Sequence, residues 1–420
     1  MYFSTAVVFY FLLGCCKAAT IQHRSKDQPE GFRKFFAGRS DGDLSHGAIV
    51  PLSRGVSTTR RFRRNDTHSS GSPLTAVARN LLADVTVGRQ TFKVVIDTGS
   101  SDSWVAAANF TCTDAKSRSV DQKTCNMGTL YTQSAGVEVV PRIKLNQTYA
   151  SGEFVFGPMV REKISVGGVT VQNAQIGAIE YAFWRGDGVN SGLLGLSGPA
   201  TTTAQDGNRK QVIYNPVFQE MVQQNVTQPF FSMSIDTVSS GPAGFLVFGG
   251  LPPVAHDKTF TTVPIIKKSG SFQGPLPYPQ VVDYIIAVPS FTVDGKVMAM
   301  NNLEMVVDSG TFANIVPNDL ADQINGLWNP PATFNENRRL YAINCAATAP
   351  DVGITLNGKE FLMPSNAAVL KDGTECFSAW AGGGMVGKTD KYFVLGDIFM
   401  KSVVSVFDLG TAEMHFAARL

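Results

Sequence analysis

The chain has 420 residues, of which 44% are hydrophobic and 17% charged. That is enough apolar material for a sizeable core, it excludes a disordered chain, and the length allows two or three domains. The net charge of +2 is unevenly spread: residues 1–64 hold 11 Lys and Arg against 4 Asp and Glu, while residues 65–420 hold 25 against 30. A basic leader on an acidic body points away from nucleic acid as a partner and suggests an electrostatic clamp between the two parts.

Residues 1–19 read as a signal peptide. The apolar run Ala6–Gly14 is too short to span a bilayer, and Cys16-Lys17-Ala18 offers a small-x-small cleavage site. Residues 20–64 are polar, basic and irregular, and end in Arg60-Arg61-Phe62-Arg63-Arg64, a pattern that resembles a dibasic processing target. They are expected to form an activation prosegment. Sequons at Asn65, Asn109, Asn146 and Asn225 mark candidate glycosylated surface loops on a secretory route. No later stretch is long and apolar enough for a membrane anchor.

Cys15 and Cys16 leave with the signal, so Cys112, Cys125, Cys345 and Cys376 remain. An even number in a secreted protein argues for disulfides. Four cysteines allow three pairings, and the local one, Cys112–Cys125 with Cys345–Cys376, is preferred.

The body is expected to be all-β with a few short helices. Thr91–Ile96, Val137–Val140, Lys163–Val166, Phe230–Ile235, Phe245–Phe248 and Val403–Phe407 are short β-favouring runs bounded by turn residues. Helices are expected over Asn215–Gln224, with Asn215 as cap and Pro216 first inside, and over Asn318–Asn325, stopping at Gly326.

The most informative feature is an internal repeat. Val94-Val95-Ile96-Asp97-Thr98-Gly99-Ser100 recurs as Met305-Val306-Val307-Asp308-Ser309-Gly310-Thr311. Leu193-Leu194-Gly195 recurs as Val394-Leu395-Gly396, 98 residues after the first Asp and 88 after the second. One Asp-[Thr/Ser]-Gly is an ordinary turn. Two copies, each after an apolar strand and each followed by apolar-apolar-Gly, indicate two related lobes. Lobes packed about a pseudo-twofold axis bring both carboxylates onto it, where they share one proton. The ionised member can then take a proton from water while the protonated one donates to a carbonyl. Ser100 and Thr311 can bond the outer carboxylate oxygens, and Gly99 and Gly310 permit close approach.

Asp97-Thr98-Gly99-Ser100-Ser101-Asp102-Ser103-Trp104-Val105 resembles the first active-site motif of the pepsin-like aspartic endopeptidases, of the secreted, fungal type. Val394–Phe399, continuing into Val404–Asp408, resembles that family's C-terminal signature, and Phe248-Gly249-Gly250 its link between lobes. The resemblance covers about residues 80–420. It implies a bilobal fold of double-ψ β-barrel lobes, residues 65–252 and 253–420, with the cleft between them. Asp97 and Asp308 would be catalytic, supported by Thr98, Gly99, Ser100, Ser309, Gly310 and Thr311. Tyr149, Ala150 and Ser151 would lie in a flap over the substrate, with Tyr149 bonded to Trp104. The implied activity is hydrolysis of protein and peptide substrates at acidic pH, between bulky apolar residues, with no cofactor beyond a catalytic water. The chain would be a monomeric zymogen inhibited by its own prosegment, Lys26 or Lys34 reaching the carboxylates, and released from the cell or delivered to a vacuole. This chain departs from the family pattern at Ala150, where Gly is usual, at Ser309 for Thr, and at Phe312, where a small hydroxyl residue is usual and a ring would fill part of a subsite.

Three other patterns carry less. Gly382–Gly387 matches GxGxxG but has no preceding strand or following helix in the sequence, and reads as a flexible loop. His68, His256 and His415 have no serine partner in a convincing context for a triad. A catalytically silent, peptide-binding relative would be expected to lack one Asp or one motif glycine, and this chain keeps all four.

Overall fold

A computed structural model describes residues 47–54, 80–237, 242–266, 282–336, 338–386 and 391–420. The signal segment, Lys26, Lys34, the basic run at 60–64 and Asn65 lie outside them.

The Val-, Ile- and Phe-rich runs form strands because such side chains fit a pleated, half-buried surface. Leu81–Val87 and Gln90–Asp97 make an antiparallel hairpin, Leu82 opposite Val95 and Val87 opposite Gln90, turning at Gly88 with φ 61°. Asn190–Gly195 then lies parallel beside Gln90–Asp97, pairing Ile96 with Leu194 and Asp97 with Gly195. The second half repeats the arrangement. Lys296–Val307 takes Lys391–Leu395 as a parallel neighbour, Val306 beside Val394 and Val307 beside Leu395. The two sequence repeats are therefore two copies of one spatial unit: a strand delivering an Asp, braced by a strand running into a Gly. Parallel neighbours need long crossovers, which accounts for the distance in sequence between each Asp and its glycine.

One sheet of 14 strands runs through both halves. Its bridge is Phe230–Ile235, antiparallel to Pro242–Phe248 on one side and to Val403–Asp408 on the other. The Phe231 and Phe407 rings stack at 4.6 Å, and Tyr284 meets Phe407 edge-on at 4.7 Å. Tyr284 Oη donates to Leu196 O at 2.6 Å, and its carbonyl accepts from Val307 N at 3.0 Å. This aromatic seam links the residue after Gly195 to the strand that ends before Asp308. The strand Ala48–Arg54, within the expected prosegment, lies in the same sheet between Pro242–Phe248 and Leu81–Val87.

Helices are short: Val217–Gln223, Asn318–Gly326 and Asp397–Met400. The second begins at Asn318 as expected and runs one residue further, to Gly326; the cap of the first shifts by one residue, to Pro216 from Asn215. Pro216 and Pro317 stand at the cap positions, with φ of −56° and −51° and extended ψ. Proline has no N–H to satisfy and is preset for this entry; Asn215 instead donates from its side chain to Glu220 Oε2 at 3.3 Å. The glycine run is not the unstructured loop expected. Trp380–Gly382 is a strand parallel to Asn314–Val316, and Met385–Val386 pairs with Tyr392 and Lys391. Main-chain pairing to the neighbouring strands overrides the weak propensity of glycine there. Both local disulfides form, Cys112–Cys125 and Cys345–Cys376.

Candidate active site

Asp97 and Asp308 emerge from the ends of their two strands, 7% and 5% exposed. Each is held alike. Asp97 Oδ1 accepts from Gly99 N at 2.8 Å and Oδ2 from Ser100 Oγ at 2.5 Å. Asp308 Oδ1 accepts from Gly310 N at 2.7 Å and Oδ2 from Thr311 Oγ1 at 2.6 Å.

Thr98 and Ser309 cross between the halves. Thr98 Oγ1 donates to Val307 O at 2.9 Å and accepts from Ser309 N at 2.9 Å. Ser309 Oγ donates to Ile96 O at 2.9 Å and accepts from Thr98 N at 3.1 Å. Four buried bonds thus tie the residues flanking one Asp to those flanking the other. Only a hydroxyl is needed, so Ser309 performs the task expected of a threonine.

The glycines show how close the carboxylates lie. A Cβ on Gly99 would sit 2.5 Å from Asp308 Cγ, and one on Gly310 would sit 2.4 Å from Asp97 Oδ1. Burial first, and the facing Asp97 charge second, push the Asp308 carboxyl well above the usual carboxylate range. One proton is therefore retained by the pair where an exposed aspartate would have lost it.

The segment expected to be the flap is a hairpin of Glu138–Thr148 and Phe154–Val166, with Thr148 opposite Phe154. Its tip closes through Tyr149 N to Glu153 O at 2.8 Å and Gly152 N to Tyr149 O at 2.9 Å. Gly152 supplies the positive φ of 80°, so glycine is not required at the exposed Ala150. Ser151 donates to Glu153 Oε2 at 2.8 Å, and Arg185 N donates to Oε1 at 2.7 Å, holding this buried carboxyl, whose pKa burial raises. Trp104 Nε1 donates to Tyr149 Oη at 2.7 Å, as the motif implied. Trp184 meets both rings edge-on, at 4.9 Å from Trp104 and 5.6 Å from Tyr149.

Several of these partners were not foreseen. Trp184 and Glu153 carry no local motif. Asp102 lies inside the first motif but was given no role. Its Oδ1 accepts from Tyr214 Oη at 2.6 Å and its Oδ2 from Thr203 N and Oγ1 at 2.9 Å, and burial still pushes it up to about 6. Asp283 accepts from Ser197 Oγ at 2.9 Å and is pushed up to about 6, chiefly by burial, with the Asp308 charge adding to the shift. Phe312 is partly buried beneath Lys401, whose Nζ lies 4.2 Å from the ring centroid. Asn109, Asn146 and Asn225 are exposed, as glycan acceptors must be.

A family model described as eukaryotic aspartyl protease matches residues 81–419. This chain belongs to the eukaryotic aspartyl proteases. It is 33% identical to an Aspergillus fumigatus protein named "Probable aspartic-type endopeptidase", over 100% of both chains. It is 25% identical to penicillopepsin-1 of Penicillium roqueforti, over 83% of this chain and 82% of that one. Among solved structures, the aspartic proteinase from Irpex lacteus aligns with a TM-score of 0.65 at 17% identity, over 88% of this chain and 97% of that one. That likeness supports the bilobal pepsin fold. The protein is an aspartic endopeptidase, and both Asp-[Thr/Ser]-Gly turns lie within the matched residues.

Proposed function

We propose that the protein hydrolyses internal peptide bonds of protein substrates at acidic pH, using a water activated between Asp97 and Asp308. The observation that carries this is the crossed Thr98–Ser309 bonding, which sets two buried carboxylates face to face with matched donors. The ionised carboxylate takes a proton from water as its oxygen attacks the scissile carbonyl carbon. The protonated carboxyl donates to the carbonyl oxygen, giving a neutral gem-diol. Collapse breaks the C–N bond, with a proton passing to the amine that leaves. Tyr149, Ala150 and Ser151 close over the peptide, and Trp104 fixes the tyrosine ring.

Substrates are peptides with bulky apolar residues at the cut. The chain is made as a monomeric, secreted zymogen, processed near Arg60–Arg64, with its basic leader as inhibitor. The vacuole is the competing destination. The test is digestion of a denatured protein in acid by the parent, Asp97→Asn and Asp308→Asn, with a statine-type inhibitor added to the parent. Cleavage by the parent alone, blocked by the inhibitor, is expected. Undiminished cleavage by either variant would sink the shared-proton mechanism.

A further inference from the structure

The hairpin of Glu138–Thr148 and Phe154–Val166 carries rings on its solvent side, where a strand with one wet face ordinarily carries polar residues. Phe154 stands opposite Phe183, and Phe156 opposite Tyr181, on the neighbouring strand Val169–Phe183. The ring centroids of the two pairs are 6.1 and 6.3 Å apart. Val155 and Ala182, which lie between these pairs in the two strands, are fully buried, so the alternation of the strands turns all four rings outward. Tyr181 is 47% exposed and the other three rings are half-buried. An exposed aromatic patch of this kind marks a contact site.

A sequon lies in register with it. Asn146 is opposite Phe156 and Thr148 opposite Phe154, so Asn146, Phe156 and Tyr181 form one row across three strands. Asn146 and Thr148 are both exposed. Asn146 Nδ2 donates to Gln205 Oε1 at 3.3 Å, and Gln205 belongs to the strand on the far side of Asn146 from Phe156. A glycosylated amide nitrogen keeps one hydrogen, which can hold that bond while the sugar leaves toward Phe156. Neighbouring strands are about 4.8 Å apart, close to the width of a pyranose ring, so two sugars laid across the row come over Phe156 and then Tyr181. N-acetylglucosamine suits such a surface. Its ring substituents are equatorial, and its axial C–H bonds meet the negative face of an aromatic ring. Exposed Lys144 holds its ammonium 5.1 Å from the Phe156 centroid, a contact weak enough to yield to a sugar, and Arg185 stands 4.7 Å from the Phe183 centroid. The same two cations repel a leader in which residues 1–64 hold 11 Lys and Arg against 4 Asp and Glu.

We propose that Phe156 and Tyr181, flanked by Phe154 and Phe183, are the platform on which an N-glycan attached to Asn146 lies, its first two sugars stacked on the two rings. The inference rests on the secretory route proposed above. The glycan reaches from Glu138–Thr148 across Phe154–Val166 to Val169–Phe183, and so braces the strands that carry Tyr149 at the hairpin tip. It also covers apolar surface that the fold leaves wet.

The chain is expressed in a eukaryotic host behind the host's own secretion signal, so that it enters the secretory route whatever Met1–Ala19 does. A second culture keeps Met1–Ala19; failure to export that form sinks the secretory reading and leaves the platform test intact. Glycopeptide mass spectrometry reads the sequons, and hydroxyl-radical footprinting reads the exposure of each ring. Asn146 is expected to be occupied, and Phe156 and Tyr181 to oxidise several-fold more slowly in the parent than in Asn146→Gln. Trimming the glycan to its first N-acetylglucosamine should free Tyr181 and leave Phe156 protected. Asn146→Gln should lower Tm by about 2 °C in the parent and leave it unchanged when Phe156→Ser and Tyr181→Ser are already present. An unoccupied Asn146 in the exported chain, or equal oxidation with and without the glycan, overturns the platform. Protection that persists in Asn146→Gln overturns it too: its loss on cleavage at Arg60–Arg64 assigns the face to the leader, and its loss on dilution assigns it to a second copy. If Asn146→Gln is not exported, enzymatic removal of the glycan from the folded parent supplies the same comparison.

Discussion

Gly310 shows what single residues decide here. It has no unusual φ to maintain; its hydrogen leaves room for the Asp97 carboxylate, which an added Cβ would meet at 2.4 Å. Gly310→Ala should therefore fold yet lose roughly 100-fold or more in kcat/KM, because the carboxylates are forced apart. Steady-state kinetics on protein with an unchanged near-UV spectrum checks this; near-parental activity would mean that the pair is not working as one unit. Thr98→Val removes the hydroxyl from two buried crossing bonds and should cost on the order of 2–3 kcal/mol in denaturant unfolding. Ser309→Thr retains the hydroxyl and should change stability by roughly 0.5 kcal/mol or less. The sequence makes both Asp residues and their hydroxyl and glycine neighbours legible, because those contacts lie within three residues of each Asp. The crossing of Thr98 to Ser309 spans 211 positions and is visible only once the two turns meet.

At the level of elements, the flap is the part whose chemistry extends furthest beyond its own sequence. Tyr149 could be assigned to Trp104 from their order in the chain, but Trp184 reaches both rings from the end of a different hairpin, with nothing local to announce it. The strands followed from apolar runs and turn residues. The start of the first helix was misplaced by one residue, since Pro216 took the cap position allotted to Asn215, while the second begins at Asn318 as expected. Tyr149→Phe keeps the ring and loses only the bond from Trp104, so it should lower kcat/KM by roughly tenfold or less, in line with one hydrogen bond. Trp184→Leu removes the edge-on support of both rings and should lower kcat/KM further, with substrate binding affected as well as turnover. Equal effects from the two substitutions would show that the indole is not holding the flap.

Across the described residues, burial governs the raised carboxyl groups, while Asp114 is lowered by its hydrogen bonds from Arg118. Asp102, Glu153, Asp283, Asp308, Asp397 and Glu413 are all raised, with burial the first cause in each. A carboxyl whose folded pKa lies above its unfolded one binds protons more tightly when folded. Its contribution is complete below the unfolded value and is lost as pH climbs through the folded value. For Asp102, displaced from 3.8 to about 6, this loss is on the order of 3 kcal/mol. Asp283 titrates over the same window. Calorimetry should therefore find a Tm several degrees higher near pH 4 than near pH 7. Lys401, pushed down to about 8, stays charged in both folded and unfolded chains across that interval and does not oppose the trend. On the proposed mechanism the proton shared by Asp97 and Asp308 is lost on further alkalinisation, so kcat/KM should fall as pH rises past neutrality, and a steady rise there would contradict it.

The sheet that joins the halves has a consequence for biosynthesis. Phe230–Ile235, in the first half of the fold, finds one of its two neighbours in Val403–Asp408, which in turn pairs with Glu413–Ala418. A nascent chain halted before Asp397 leaves one edge of Phe230–Ile235 unpaired and lacks that carboxylate as well. Domains that emerge early from the ribosome usually fold early, but here the sheet of the first half is complete only when Val403–Asp408 has joined it. Competence to cut peptide bonds is thus expected to wait for Val403–Asp408, so that a chain halted before that strand would not digest its neighbours on the same polysome.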